Sequence, residues 1–115
     1  MTTITIFEDV DGNYSGFEFD GHAEAAKAGE DIVCASLSIL AINTVNSVEK
    51  FAVPEGSFEE QASQKSGYIK FLLKQPNHDS NLLIDAMILG VEGIAQQYPR
   101  YVRLKRKGGV TDDRT

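Results

Sequence analysis

Thr3-Ile4-Thr5-Ile6-Phe7-Glu8-Asp9-Val10-Asp11-Gly12-Asn13-Tyr14-Ser15-Gly16-Phe17-Glu18-Phe19-Asp20 reads as two strands closed by a turn. Thr3–Phe7 is β-rich and partly alternating, and Asp11-Gly12 followed by Asn13 is turn chemistry between two β-forming runs. In the second run Phe17 and Phe19 share one face while Gly16, Glu18 and Asp20 share the other, because strand side chains alternate sides. A hairpin with one apolar face must be covered, so the rest of the chain is read for what covers it.

Residues 21–30, Gly-His-Ala-Glu-Ala-Ala-Lys-Ala-Gly-Glu, commit to no periodic face and read as a mobile loop bracketed by Gly21 and Gly29. Asp31 is then a good N-cap for a helix over Ile32–Lys50, with Val33, Leu37, Leu40, Ala41 and Val48 on one stripe. Ile32, Ile39, Ile42 and Val45 widen that stripe, which points to burial on two sides, against the sheet and the other helix or against a second subunit. After Pro54-Glu55-Gly56, strands near Ser57–Ala62 and Tyr68–Leu73 flank the polar turn Ser63–Gly67. A second helix, capped by Asp79 or Ser80, carries Leu83, Ala86, Met87, Gly90, Val91, Ile94 and Tyr98 inward until Pro99 stops it. Arg100–Lys107 alternates Val102 and Leu104 with Arg103 and Lys105 as a fifth strand. The expected fold is α/β of the α+β kind: one mixed sheet of about five strands with two helices, in the order β-β-α-β-β-α-β. Residues 1–107 form the single domain and residues 108–115 a polar tail.

A chain of 115 residues with 42% apolar and 24% charged residues is an ordinary one-domain globular protein. No apolar run approaches the roughly 18 residues that a membrane span needs, and no leader pattern is present, so a cytoplasmic protein without membrane contact is expected. One cysteine excludes an internal disulfide framework and a multi-thiolate metal site, and neither a metal nor a cofactor is expected. A net charge of −6 favours a basic partner and argues against nucleic acid as a required one.

Read as a helix start, Asp31-Ile32-Val33-Cys34 puts the thiol where free N–H groups and the helix dipole favour an anion, and those N–H groups would also bind an oxyanion. A small core residue is the plainer account of a lone cysteine. His22 stands twelve positions earlier, after Gly21, within reach of Cys34 through the loop, and an imidazole beside a thiol is what acyl transfer uses. His78 is explained by a position at the start of the other helix. Asp31 either orients His22 or only caps the helix, and Ser38, one turn beyond Cys34, either bonds near the thiol or back to a carbonyl.

Taken together, Gly21-His22-Ala23, Gly29, and Asp31-Ile32-Val33-Cys34-Ala35 with Ser38 resemble the signature of the ribosomal-processing cysteine protease Prp family, and the likeness in element order runs over about residues 1–107. The resemblance implies a cysteine endopeptidase that removes the N-terminal extension from the precursor of a large-subunit ribosomal protein during ribosome assembly. It assigns Cys34 as nucleophile and His22 as general base, with Gly21, Asp31 and Ser38 supporting, and it implies a homodimer. Two other readings remain. A non-enzymatic ribosome-associated or RNA-binding module would use the basic stretch Arg100–Lys107, which protection of an edge strand also explains. A thiol redox sensor would lack a second cysteine to resolve a sulfenic acid.

Overall fold

The computed structural model describes residues 1–21, 28–63 and 67–109, with the backbone alone for residues 28–31. Its elements are β1 (Thr2–Glu8), β2 (Tyr14–Gly21), α1 (Ala28–Phe51), β3 (Phe58–Ser63), β4 (Tyr68–Leu73), α2 (His78–Gln97) and β5 (Val102–Lys107). The expected element order and the single mixed sheet are both present. The strand order, β3-β4-β2-β1-β5, was not deducible from the sequence. Three antiparallel pairings and one parallel pairing, β1 with β5, build the sheet. The parallel pair is possible because α2 carries the chain back across the sheet, as a parallel neighbour requires.

Both helices cover one sheet face. Ile4 and Ile6 of β1, Phe17 and Phe19 of β2 and Phe71 of β4 share a core with Val33, Leu37, Ala41, Val45 and Val48 of α1 and Ile84, Met87, Ile88 and Val91 of α2. Phe17 sits at the centre, its ring 5.7 Å from that of Phe19 and 5.5 Å from that of Phe71. Truncating such a fully buried ring costs about 3–5 kcal/mol. Gly16, directly before it, has φ +153°, and a Cβ there would stand 2.1 Å from the Phe71 carbonyl oxygen, so only glycine lets β2 and β4 approach as they do.

Four expectations need correction. The helix that carries Cys34 begins at Ala28, so Asp31 is its fourth residue and not its cap. The cap of α2 is Asn77, two residues before Asp79 and three before Ser80: its side chain accepts the Ser80 N–H while the Ser80 hydroxyl accepts the Asn77 N–H. Asn is as good a cap as Asp or Ser, and the reciprocal bond selects it. The inner stripe of α2 is rotated, with Ile84 and Ile88 buried and Ala86 exposed. Finally, Ile32–Phe51 is, by length and composition, a helix that would suffice to cross a bilayer. Here its Val33–Val48 face lies in the protein core.

Candidate active site

β2 and α1 meet at one end of the sheet, the end at which β1 and β5 start. Gly21 pairs with Thr2, and Thr2 with Val102. The Gly21 N–H donates to the Gly67 carbonyl at 3.3 Å, and the Thr2 N–H donates to the Tyr101 carbonyl at 2.8 Å. A Cβ on Gly21 would come within 2.9 Å of the Thr2 hydroxyl, so the glycine lets the strand close against a buried threonine just where the chain leaves the sheet. Thr2 and Gly67 are thus parts of this end that sequence reasoning did not single out. Their only signal is tertiary, since neither lies near the His–Cys stretch in the chain.

Cys34 lies in the second turn of α1, half-buried between the core residues Val33 and Leu37. Its helix runs from this end of the sheet, and helical side chains lean toward the N-terminus, which directs the thiol back toward the first turn. The free N–H groups of an α-helix are its first four, which here belong to Ala28–Asp31. Cys34 is therefore past the position where the helix dipole acts strongly, and its own N–H is engaged within the helix. Placing an oxyanion on N–H groups beside Cys34, as a helix start at Ile32 would allow, is corrected by this register.

Ser38 is one turn further along, exposed, and its hydroxyl has no hydrogen-bond partner among the described residues. The back-bonds to helix carbonyls come instead from Ser36 to Ile32 at 2.9 Å and from Thr44 to Leu40 at 2.7 Å. His22, the loop interior 22–27 and the Asp31 side chain lie outside the described residues. His78 is described: exposed, at the start of α2, with its ring 3.3 Å from the Asp79 carboxylate. It stands near the C-terminal end of α1, since Asn77 donates to the Ala52 carbonyl at 2.7 Å. Seventeen helical residues separate Cys34 from Phe51, a rise of about 25 Å. His78 and Cys34 therefore sit at opposite ends of the molecule.

No cluster of metal-ligating side chains occurs among the described residues. The arrangement offers one thiol at a helix beginning, one glycine-led exit from the sheet at the same end, and an imidazole in the connection between them. A family model described as "Cysteine protease Prp" matches residues 1–103.

The chain belongs to the Prp family.

Among Prp relatives, the ribosomal processing cysteine protease Prp of Bacillus subtilis (strain 168) is 30% identical over 109 residues, which cover 90% of this chain and 96% of that protein. An essential ribosomal processing protease Prp from S. aureus, in crystals with a substrate peptide, has the same fold at a TM-score of 0.82 and 24% identity, over 93% of this chain and 100% of that one. A second S. aureus Prp structure, with a covalently linked product peptide, matches with a TM-score of 0.78 and 25% identity over the same shares. The protein is a cysteine protease, a hydrolase acting on peptide bonds.

Proposed function

We propose that this protein is a ribosomal-protein-processing endopeptidase in which Cys34 is the nucleophile and His22 the general base. One observation carries the assignment: a member of a cysteine protease family whose whole sequence contains a single cysteine has one candidate for its nucleophile. The second follows by geometry. The chain has two histidines, and His78 stands by the far end of α1, about 25 Å of helix rise beyond Cys34, which leaves His22. His22 directly follows Gly21 at the sheet end where α1 begins.

In this reading the imidazole takes the thiol proton and Sγ attacks the scissile carbonyl of an extended peptide. The tetrahedral adduct collapses to a thioester while the imidazolium returns the proton to the departing amine. Water, deprotonated by the same imidazole, then releases the acid and restores the thiol. The N–H groups that α1 leaves free, those of Ala28–Asp31, are the nearest oxyanion donors that the helix offers. Gly21, Asp31 and Ser38 support the pair: Gly21 by fixing the exit of β2, Asp31 as an acidic residue in the first turn of α1, and Ser38 as the polar neighbour one turn from the thiol. A lone reactive thiol is best kept in a reducing compartment, and the reading includes a cytoplasmic location.

The substrate is the precursor of a large-subunit ribosomal protein, cut behind its N-terminal extension. A homodimer is part of the proposal. α1 turns Ile32, Ile39 and Ile42 outward, and α2 turns out Leu82 and Leu89; Ile39 is 69% and Leu89 71% exposed. Apolar side chains on the outer side of a helix layer are what a second copy would cover. Sedimentation analysis of Ile39→Glu is expected to give monomer where the wild type gives dimer.

Mass spectrometry of the ribosomal-protein precursor after incubation with wild type, Cys34→Ala and His22→Ala tests the core of the proposal. Cleavage by the wild type alone is expected; equal cleavage by Cys34→Ala would remove the thiol from the mechanism.

A further inference from the structure

The helix-free face of the sheet carries a groove of about 790 Å³ lined by Thr5, Phe7, Glu18, Lys70, Leu72, Lys105 and Lys107. It faces away from α1 and from Cys34, since every side chain on it alternates with a core residue: Thr5 with Ile4 and Ile6, Glu18 with Phe17 and Phe19, and Lys70 with Phe71. Phe7 is in register with Gly16, which has no side chain, so its ring reaches across β2 and lies 5.8 Å from the Lys70 Nζ.

The cations are the unusual part. In a chain of net charge −6, Arg103, Lys105 and Lys107 project from alternate positions of β5 onto this one face, and Lys70 joins them from β4. No carboxylate lies within ion-pairing distance of any of the four among the described residues. The nearest acid in register, Glu18 opposite Lys70, accepts the Tyr68 hydroxyl at 2.6 Å instead. Of the acids on this face, Glu18 lies within the groove and is bonded to Tyr68, Asp20 stands toward the end where β1 and β5 start, and Glu59 is on the opposite edge strand β3. Protection of an edge strand accounts for lysines on β5. It does not account for Lys70, which comes from an interior strand.

We propose that this groove is a docking surface for the phosphate backbone of a single strand of RNA, separate from the proteolytic site. Three cations on alternate residues of one strand are spaced by about 6.7 Å, a regular row that suits a chain of regularly spaced anions better than an irregular acidic peptide. The groove is mainly polar, as a surface for phosphates and sugars should be, with Leu72 and the edge of Phe7 as its apolar contacts. A lipid surface would require exposed apolar side chains beside the cations, and the large exposed ones, such as Ile39 and Leu89, lie on the helices of the other face. Phosphate chemistry alone carries the site; the choice of RNA over DNA rests on the ribosomal reading of the function.

The test is fluorescence anisotropy of a labelled, unstructured 12-nucleotide RNA titrated with the full chain at several salt concentrations. Four phosphate contacts predict log affinity against log salt with a slope of about −2.8. Lys105→Gln combined with Lys107→Gln should weaken binding at least about 10-fold and flatten the slope by about 1.4, while peptide cleavage stays at the wild-type rate. Lys70→Gln should flatten it by about 0.7, and Lys74→Gln, off the groove, should change nothing. Thermal melts confirm that each variant is folded. Absence of binding at low salt, binding unchanged in the double variant, or capture by phosphatidylserine vesicles in place of RNA would each overturn the proposal. Because cleavage is read separately, failure here leaves the protease assignment standing, and failure of the protease assay leaves the titration interpretable.

Discussion

The two ends of the sheet are built differently. At the end away from Cys34, side chains lock β1, β2, β5 and both helices together. The Asp9 carboxylate accepts the N–H groups of Asp11 and Asn13, each at 2.9 Å. Asn81 of α2 reaches the β1–β2 turn, its oxygen accepting the Tyr14 N–H at 3.0 Å and its amide donating to Asn13 at 2.8 Å. Asn77 ties α2 to the end of α1, the Tyr14 hydroxyl donates to Asp85, and Arg106 pairs with Glu8 at 3.0 Å. At the end where α1 begins, the described residues show mainly backbone bonds around Gly21, Gly67 and Thr2, together with the Tyr68–Glu18 bond. The difference teaches where stability is held: among the described residues, the side-chain hydrogen bonds that staple the fold gather at the end away from Cys34.

The sharpest way to break this contrast is at the two helix starts. Cys34→Ala should lower kcat/KM by more than about 1,000-fold while changing unfolding free energy by no more than about 1 kcal/mol, since the thiol is half-buried. Asn77→Ala should do the opposite. It removes the cap of α2 and the bond to Ala52, costing about 2 kcal/mol in urea denaturation and leaving cleavage at 25 °C unchanged. A fall in cleavage without a fall in stability would show that the two ends are coupled.

Tyr68 sharpens the comparison by pH. Its hydroxyl is held up to about 12, first by donation to Glu18 and then by burial. A raised folded value means that this contribution is complete below the ordinary tyrosine value of about 10 and fades as pH climbs toward 12. Tyr68→Phe is therefore expected to be less stable by about 1 kcal/mol at pH 8, with the gap to wild type closing between pH 10 and 12 in denaturant titrations. The smallest effect lies on the helix side. Burial, then the charge of Glu60, holds the Glu49 carboxyl above its ordinary range, so its protonated form suits the fold better. Glu49→Gln should stabilise by about 0.3 kcal/mol at pH 7, and this gain should vanish as the pH drops below the usual glutamate range.

Much of this was legible in the chain. Period-two alternation fixed which residues of β2 and β5 face the core, and the glycine-flanked histidine with a single cysteine pointed to the family. The start of α1 was misread because Asp31 is a good cap in isolation, while Ala28-Gly29-Glu30 continue the same helix backward by one turn. The cap of α2 lies two to three residues before the expected one because Asn, Asp and Ser are equivalent by propensity and only the reciprocal Asn77–Ser80 bond chooses among them.

By itself, the sequence determined the element order, the inward faces of the β1–β2 hairpin and β5, and the residues able to carry thiol chemistry, because those follow from local backbone preference and side-chain identity. Tertiary structure decided the strand order, the separation of His78 from Cys34, and the gathering of Lys70 with the β5 cations on one face. These depend on which distant strands pair. Pairing is settled by the summed burial of a whole sheet face and not by any local signal.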